Sequence, residues 1–159
     1  MINFPLKVLI VDNDSVTATL INAYIRERDD IELDIFTNSD DAFSCFKEKK
    51  HQIVFTDIDL SPTPGDMFLR RCKEISGHTD FIMATSSTSL MLTQACYDHG
   101  VQRIIKKPVA REPIEEALNN AFEKFKVWRE FFNNRKKSKI KTQTETVSST
   151  SESEVDETA

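Results

Sequence analysis

The sequence predicts an α/β fold: a single five-stranded parallel sheet, doubly wound, with helices on both faces. Three observations carry this. Short apolar runs alternate five times with segments of helical period. The first run, Leu6 to Val11, is continuous and rich in β-branched residues, the pattern of a strand buried on both faces. The length of 159 residues, 39% of them apolar and 30% charged, leaves room for one core of ordinary domain size.

The elements follow in order. After strand one, Val16, Leu20, Ile21, Tyr24 and Ile25 recur at helical spacing, with Asp14 or Ser15 available as N-cap. Ile31 to Phe36 reads as strand two, Ala42, Phe43 and Phe46 as the apolar face of helix two, and Ile53 to Thr56 as strand three. Met67, Phe68, Cys72 and Ile75 mark helix three, and Asp80 to Thr85 is strand four. Leu90 to Cys96 forms helix four, closed by Gly100 as a C-terminal cap, and Gln102 to Ile105 is strand five. Helix five opens near Pro113, a good first-turn residue, and carries Ile114, Leu118, Ala121, Phe122 and Phe125 on one face.

Nothing stops that helix after Phe125. Val127, Trp128, Phe131 and Phe132 continue it to about Lys137, roughly 25 residues at about 1.5 Å each, well beyond the length of a strand. The helix is expected to overhang, its aromatics folding back or, as the favoured reading, forming a partner or dimer surface. Arg135, Lys136, Lys137, Lys139 and Lys141 read as a solvated basic helix end. From Ser138 the chain turns to Ser, Thr and acids, a composition that cannot offset the entropy of ordering. The expected organisation is a domain over 1–126, an overhanging helix end over 127–137 and a disordered tail over 138–159. With no second apolar core after 137, output is expected to pass through another molecule.

Charge and composition exclude several classes. A net charge of −5 argues against a dedicated nucleic-acid binder. No apolar run reaches the length of a membrane span, and Met1 to Lys7 lacks the pattern of a signal peptide, so a cytoplasmic location is expected. Cys45, Cys72 and Cys96 are odd in number and far apart, and are read as reduced packing residues.

In sheets of this type chemistry sits at the carboxyl ends of the strands. Strand one ends in Asp12, Asn13 and Asp14, strand three in Asp57 with Asp59 two residues on, strand four in Thr85 and Ser86, and strand five in Lys106 and Lys107 before Pro108. Clustered carboxylates repel one another, so they either retain a proton or bind a hard cation, for which Mg²⁺ fits best. A hydroxyl and an ammonium are complementary donors for phosphoryl oxygens. Together these residues describe a carboxylate nucleophile that accepts phosphoryl, with metal and lysine neutralising charge. Individually, Asp14 reads first as a helix cap, Asp59 as solvated loop charge, and only one of the two lysines can face the site.

These residues resemble the receiver domain of two-component response regulators over about Leu6 to Phe125, in the manner of the single-domain chemotaxis regulators. Asp12 and Asn13 stand at the acidic-pair positions, Asp57 at the phosphoacceptor, Gly65 at the glycine of its loop, Thr85 at the switch hydroxyl, and Lys107 with Pro108 at the lysine followed by a usually cis proline. The resemblance implies a flavodoxin-like fold with strand order 2-1-3-4-5 and Mg²⁺ held by Asp12, Asn13, Asp57 and the backbone carbonyl of Asp59. It also implies phosphoryl transfer to Asp57 from a histidine kinase or His-phosphotransfer protein. The downstream protein partner would be met through helix four, strand five and helix five, and a homodimer is compatible with it. The chain would be a signalling protein rather than an enzyme, a stand-alone receiver.

Several positions depart from the family pattern. Asn13 replaces the second acid and brings no charge, so weaker Mg²⁺ affinity is expected. Ser61 and Pro62 follow Leu60 where Met then Pro is usual, and Ile104 stands where the switch aromatic normally sits. Asp59 and Ser87 occupy the positions that tune phosphoryl lifetime. These departures motivate an alternative, a phosphorylation-independent pseudo-receiver that binds partners. Asp57, Ile58 and Asp59 also resemble the two-aspartate motif of haloacid-dehalogenase-like phosphatases, but that motif normally follows the first strand, and Arg111 and Glu112 do not supply its later acidic pair. No Gly-rich loop follows strand one, which argues against a mononucleotide-binding fold.

Overall fold

The computed structural model describes residues 5–150, with side chains through Arg135. In chain order the elements are β1 (Leu6–Val11), α1 (Ser15–Ile25), β2 (Ile31–Phe36), α2 (Ser39–Lys49), β3 (Ile53–Thr56), α3 (Gly65–Ile75), β4 (Asp80–Thr85), α4 (Leu90–Asp98), β5 (Val101–Lys106) and α5 (Arg111–Thr150). The strands form one parallel sheet in the order β2-β1-β3-β4-β5, as expected. β1, β3 and β4 are almost wholly buried, whereas β2 alternates between partly buried and exposed positions as an edge strand does.

Capping chemistry sets where the helices begin and end. Asp14 caps α1, accepting from the amides of Val16 (3.0 Å) and Thr17 (3.3 Å) and from the Thr17 hydroxyl (2.6 Å). Asn38 does the same for α2 through the amides of Asp40 and Asp41. Gly100, at φ 75°, follows α4, and its amide donates to the Tyr97 carbonyl at 2.7 Å. That left-handed conformation is the reason a glycine closes the helix there.

One layer of the core joins Leu9, Val11, Val54, Phe81 and Met83 of the sheet to Phe46 of α2 and Phe68 of α3. Burying each such side chain contributes about 1.5–3 kcal/mol. Three positions assigned to helix faces lie outside the core: Val16, Met67 and Ile75 are exposed. Each sits within a turn of its helix end, where helical spacing continues past the surface that the sheet covers. α4 buries only Cys96 fully, and Leu90 and Met91 in its first turn are more than four-fifths exposed.

The chain divides into two compact units, one spanning Asn3–Phe122 and a second containing the continuation of α5 from Glu123. In the second, Trp128, Phe131 and Phe132 pack on one another with ring centroids 5.8–6.3 Å apart, and all three stay about half exposed. The α5 backbone runs to Thr150, past the end near Lys137 that the apolar spacing supports. The tail expected from 138 falls partly on that backbone, and residues 151–159 lie outside the described residues.

Candidate functional site

Strand register builds the site. Val11 of β1 pairs with Thr56 of β3, so the next residue of each strand, Asp12 and Asp57, emerges beside the other. Thr85 at the end of β4 pairs with Lys106 of β5, and the Lys107 amide donates to the Thr85 carbonyl at 2.9 Å. All four groups therefore lie at the carboxyl rim. β1 and β3 flank the point where chain progression reverses, because β2 lies on the other side of β1.

The Lys107 ammonium reaches both carboxylates, Asp57 Oδ2 at 2.5 Å and Asp12 at 2.8 Å from Oδ2 and 3.0 Å from Oδ1. All three side chains are at least nine-tenths buried. Asp57 Oδ1 accepts from the backbone amides of Ile58 (2.6 Å) and Asp59 (3.3 Å), and Asp12 Oδ1 accepts from the Asp14 amide at 2.8 Å. Burial pushes the Asp12 carboxyl above its ordinary range, outweighing Lys107 and the Asp14 amide, which pull it down. Burial alone would lower the Lys107 pKa, but its contacts to Asp12 and Asp57 outweigh that and raise it. Two buried carboxylates thus share one ammonium.

The loop after β3 depends on Gly65. A Cβ there would collide with the Asp57 carbonyl oxygen and lie 2.9 Å from Ile58 Cα, while the Gly65 amide donates to the Ile58 carbonyl at 2.8 Å. Only a residue without a side chain lets α3 begin so close to the backbone of Asp57 and Ile58. The Lys107–Pro108 bond is cis, as the resemblance implies, and so is Ser61–Pro62.

The remaining site residues separate. Asp14 is the α1 cap, its carboxylate taken up by the Val16 and Thr17 amides and the Thr17 hydroxyl. Lys106 is exposed, leaving Lys107 as the lysine of the site. The Thr85 hydroxyl is buried and accepts from the Ser87 amide at 3.1 Å; it is not among the groups bonded to Asp57. Ile104 is partly buried against the core. Asn13 is exposed and spans to the β3–α3 loop: its Nδ2 donates to the Asp59 carbonyl at 3.0 Å, and its Oδ1 accepts from the Ser61 amide at 3.2 Å.

Mg²⁺ suits the donor set at the rim. The donors are hard oxygens, two of them carboxylates with Lys107 as the one cation paired with them among the described residues, and Mg²⁺ needs few protein ligands because it keeps several waters. Asp12 and Asp57 meet that requirement. Asn13 and the Asp59 carbonyl, the other two expected ligands, are hydrogen-bonded to each other.

A second polar cluster escaped the sequence reading. Asp34 of β2 accepts from Lys49 Nζ at 2.7 and 2.8 Å and from His51 Nε2 at 2.8 Å. Its donor atoms and those of Cys45 and His51 lie within 4.8 Å of one another, the one such group among the described residues. His51 is fully buried and stacked on Phe46, and burial holds its imidazole below the ordinary pKa, hence neutral. Burial would raise the Asp34 pKa, but the Lys49 and His51 contacts outweigh that and lower it. The carboxylate is already neutralised, so the cluster braces α2 and the loop before β3 against the edge strand. Cys45 is half-buried beside it, a placement that chain spacing does not reveal.

Comparison with known proteins agrees with this fold. The family model "Response regulator receiver domain" matches residues 8–119. The chain is 27% identical over 115 residues to the sensory transduction protein LytT of Bacillus subtilis, covering 71% of this chain and 46% of that protein. It therefore spans about half the length of that relative. Among solved structures, a response regulator receiver domain protein from Clostridium thermocellum superposes with TM-score 0.70 at 25% identity, covering 77% of this chain and 98% of the other. A CheY-like receiver domain protein from Methanospirillum hungatei gives TM-score 0.71 at 19% identity, covering 77% and 97%. Receiver domains are signalling modules of two-component systems in which a phosphorylated aspartate and Mg²⁺ are typical, and no helix among the described residues is long and apolar enough to cross a membrane. On the match across 8–119 and the rim of Asp12, Asp57 and Lys107, the chain belongs to the response regulator receiver domain family.

Proposed function

We propose that this receiver accepts phosphoryl on Asp57 from a phosphohistidine of a histidine kinase or His-phosphotransfer protein and signals by protein contacts in the cytoplasm. The observation that carries the reading is the convergence of the Asp12 and Asp57 carboxylates on Lys107. An Asp57 carboxylate oxygen attacks phosphorus, the P–N bond breaks, and the imidazole of the donor leaves with its electron pair and takes up a proton. The product is an acyl phosphate on Asp57. Lys107 supplies a fixed positive charge beside the oxygens that gain negative charge. The Ile58 and Asp59 amides orient the carboxylate before attack. Mg²⁺, when bound, would be held by Asp12 and Asp57 and would supply further neutralising charge there. Thr85, at the adjoining strand end, is the hydroxyl available to a bound phosphoryl group once it exchanges its Ser87 contact.

The output surface is read from α4, where Leu90, Met91 and Tyr97 are exposed apolar residues next to β5. Asn13 and Ile104 favour a second reading, a pseudo-receiver that binds partners without phosphorylation. The two are separated by incubating the chain with acetyl phosphate or phosphoramidate and Mg²⁺ and weighing it intact. A gain of about 80 Da, one phosphoryl group, that is absent in Asp57→Ala supports the acceptor reading. No gain in a folded protein supports the pseudo-receiver.

A further inference from the structure

We infer that Asn13 is a positioning residue that ties the β1–α1 loop to the acceptor loop, so that the geometry around Asp57 is set without a bound divalent cation. The amide uses both ends at once, donating from Nδ2 to the Asp59 carbonyl and accepting at Oδ1 from the Ser61 amide. This pairing fixes its orientation, because a flipped amide would set oxygen against oxygen and NH₂ against NH. The loop it holds is also the one that supplies two amides to Asp57 Oδ1. On its other flank the same loop is held by Ser39, whose amide donates to the Ser61 carbonyl at 3.2 Å and whose Oγ accepts from the Thr63 amide at 2.8 Å. Asn13 closes the remaining side.

Residue chemistry makes this link specific to an amide. A carboxylate at position 13 accepts only, so it would meet the Asp59 carbonyl acceptor to acceptor and add a third negative charge near Asp12 and Asp57. Such a site needs a cation to relieve the contact. With the amide, the loop is ordered by neutral hydrogen bonds, and cation binding at Asp12 and Asp57 is left with little ordering to do. The inference deepens the phosphoacceptor reading and takes its meaning from it, but its test is independent of phosphoryl transfer.

The test is thermal unfolding of the full chain and of Asn13→Asp and Asn13→Ala, each with and without 10 mM Mg²⁺. Wild type is expected to gain only the modest stabilisation of ion binding at Asp12 and Asp57, less than Asn13→Asp gains. Asn13→Asp is expected to melt lower by about 3–6 °C without Mg²⁺ and to recover most of this when Mg²⁺ is added. Asn13→Ala loses the bonds and gains no charge, so it melts lower by a similar amount in both conditions. Adding Asp12→Asn to Asn13→Asp abolishes the recovery, which locates the ion at the rim. Equal Mg²⁺ responses in wild type and Asn13→Asp would overturn the inference, as would an Asn13→Ala that melts like wild type. If Asn13→Asp does not fold, the Asn13→Ala comparison decides. Failure of Asp57 to label leaves these melting patterns intact, so the two readings fail separately.

Discussion

The rim of the sheet and its β2 edge use nearly the same residues to opposite ends. At the rim, Asp12 and Asp57 share Lys107. At the edge, Asp34 is shared by Lys49 and His51. At the rim burial dominates and drives Asp12 above its ordinary pKa; at the edge the partly exposed Lys49, which also reaches Glu32 at 3.5 Å, and the His51 N–H together outweigh burial, and Asp34 falls below its own. Depth of burial and the number of donors on each carboxylate, rather than residue type, separate a site from a brace. An excess of buried negative charge invites a cation or a proton, and a satisfied carboxylate invites neither.

The largest consequence follows from removing the shared cation. Lys107→Ala leaves two buried carboxylates without their counter-charge, and unfolding in urea at neutral pH should show a loss of about 3–5 kcal/mol, partly recovered by Mg²⁺. Gly65→Ala comes next: with backbone atoms of Asp57 and Ile58 in the way, a loss of about 1–3 kcal/mol is expected together with slower labelling of Asp57. At the edge, Asp34→Asn should cost about 1 kcal/mol, because the carboxylate is partly exposed and its ion pair screened, and should leave labelling unchanged. A loss at Asp34 as large as that at Lys107, or any change in labelling, would contradict the distinction.

The two regions should also answer acid with opposite sign, the smallest of these effects. Asp34 has a depressed pKa, so its stability contribution is present above the unfolded value of 3.8 and is lost as pH falls through the folded pKa. His51, depressed below 6.5, likewise favours the fold above that value and loses its contribution on acidification. Asp12 is raised above 3.8, so protonation is easier in the fold and its contribution grows as pH falls through the folded pKa. Stability measured against pH for wild type, Asp34→Asn and Asp12→Asn should therefore give difference curves of opposite slope: on acidification wild type loses stability relative to Asp34→Asn and gains it relative to Asp12→Asn.

The sheet and the charged triad were readable in the sequence because each rests on local information. β1, β2, β3 and β4 begin and end where the apolar runs do, and β5 extends one residue further on each side. Asp12, Asp57 and Lys107 were visible as charges that end buried strands. The Asn13 link was not visible, since its partners are backbone groups 46 and 48 residues away in a loop without periodicity. The Asp34 brace was hidden for a related reason: its members come from a strand, a helix and a loop whose neighbourhood exists only once α2 packs on the sheet. Val16 and Met67 fit the helical period yet face solvent, because period alone does not say where the covered surface ends.

The most direct measurement asks which carboxylate carries the phosphoryl group. After labelling with acetyl phosphate and Mg²⁺, borohydride reduction converts the acyl phosphate of an aspartate to homoserine, which peptide mass spectrometry locates. The account predicts homoserine at position 57 alone, with Asp12, Asp34 and Asp59 unchanged. Conversion at Asp12 or Asp34, or at no position in a folded chain, would contradict it.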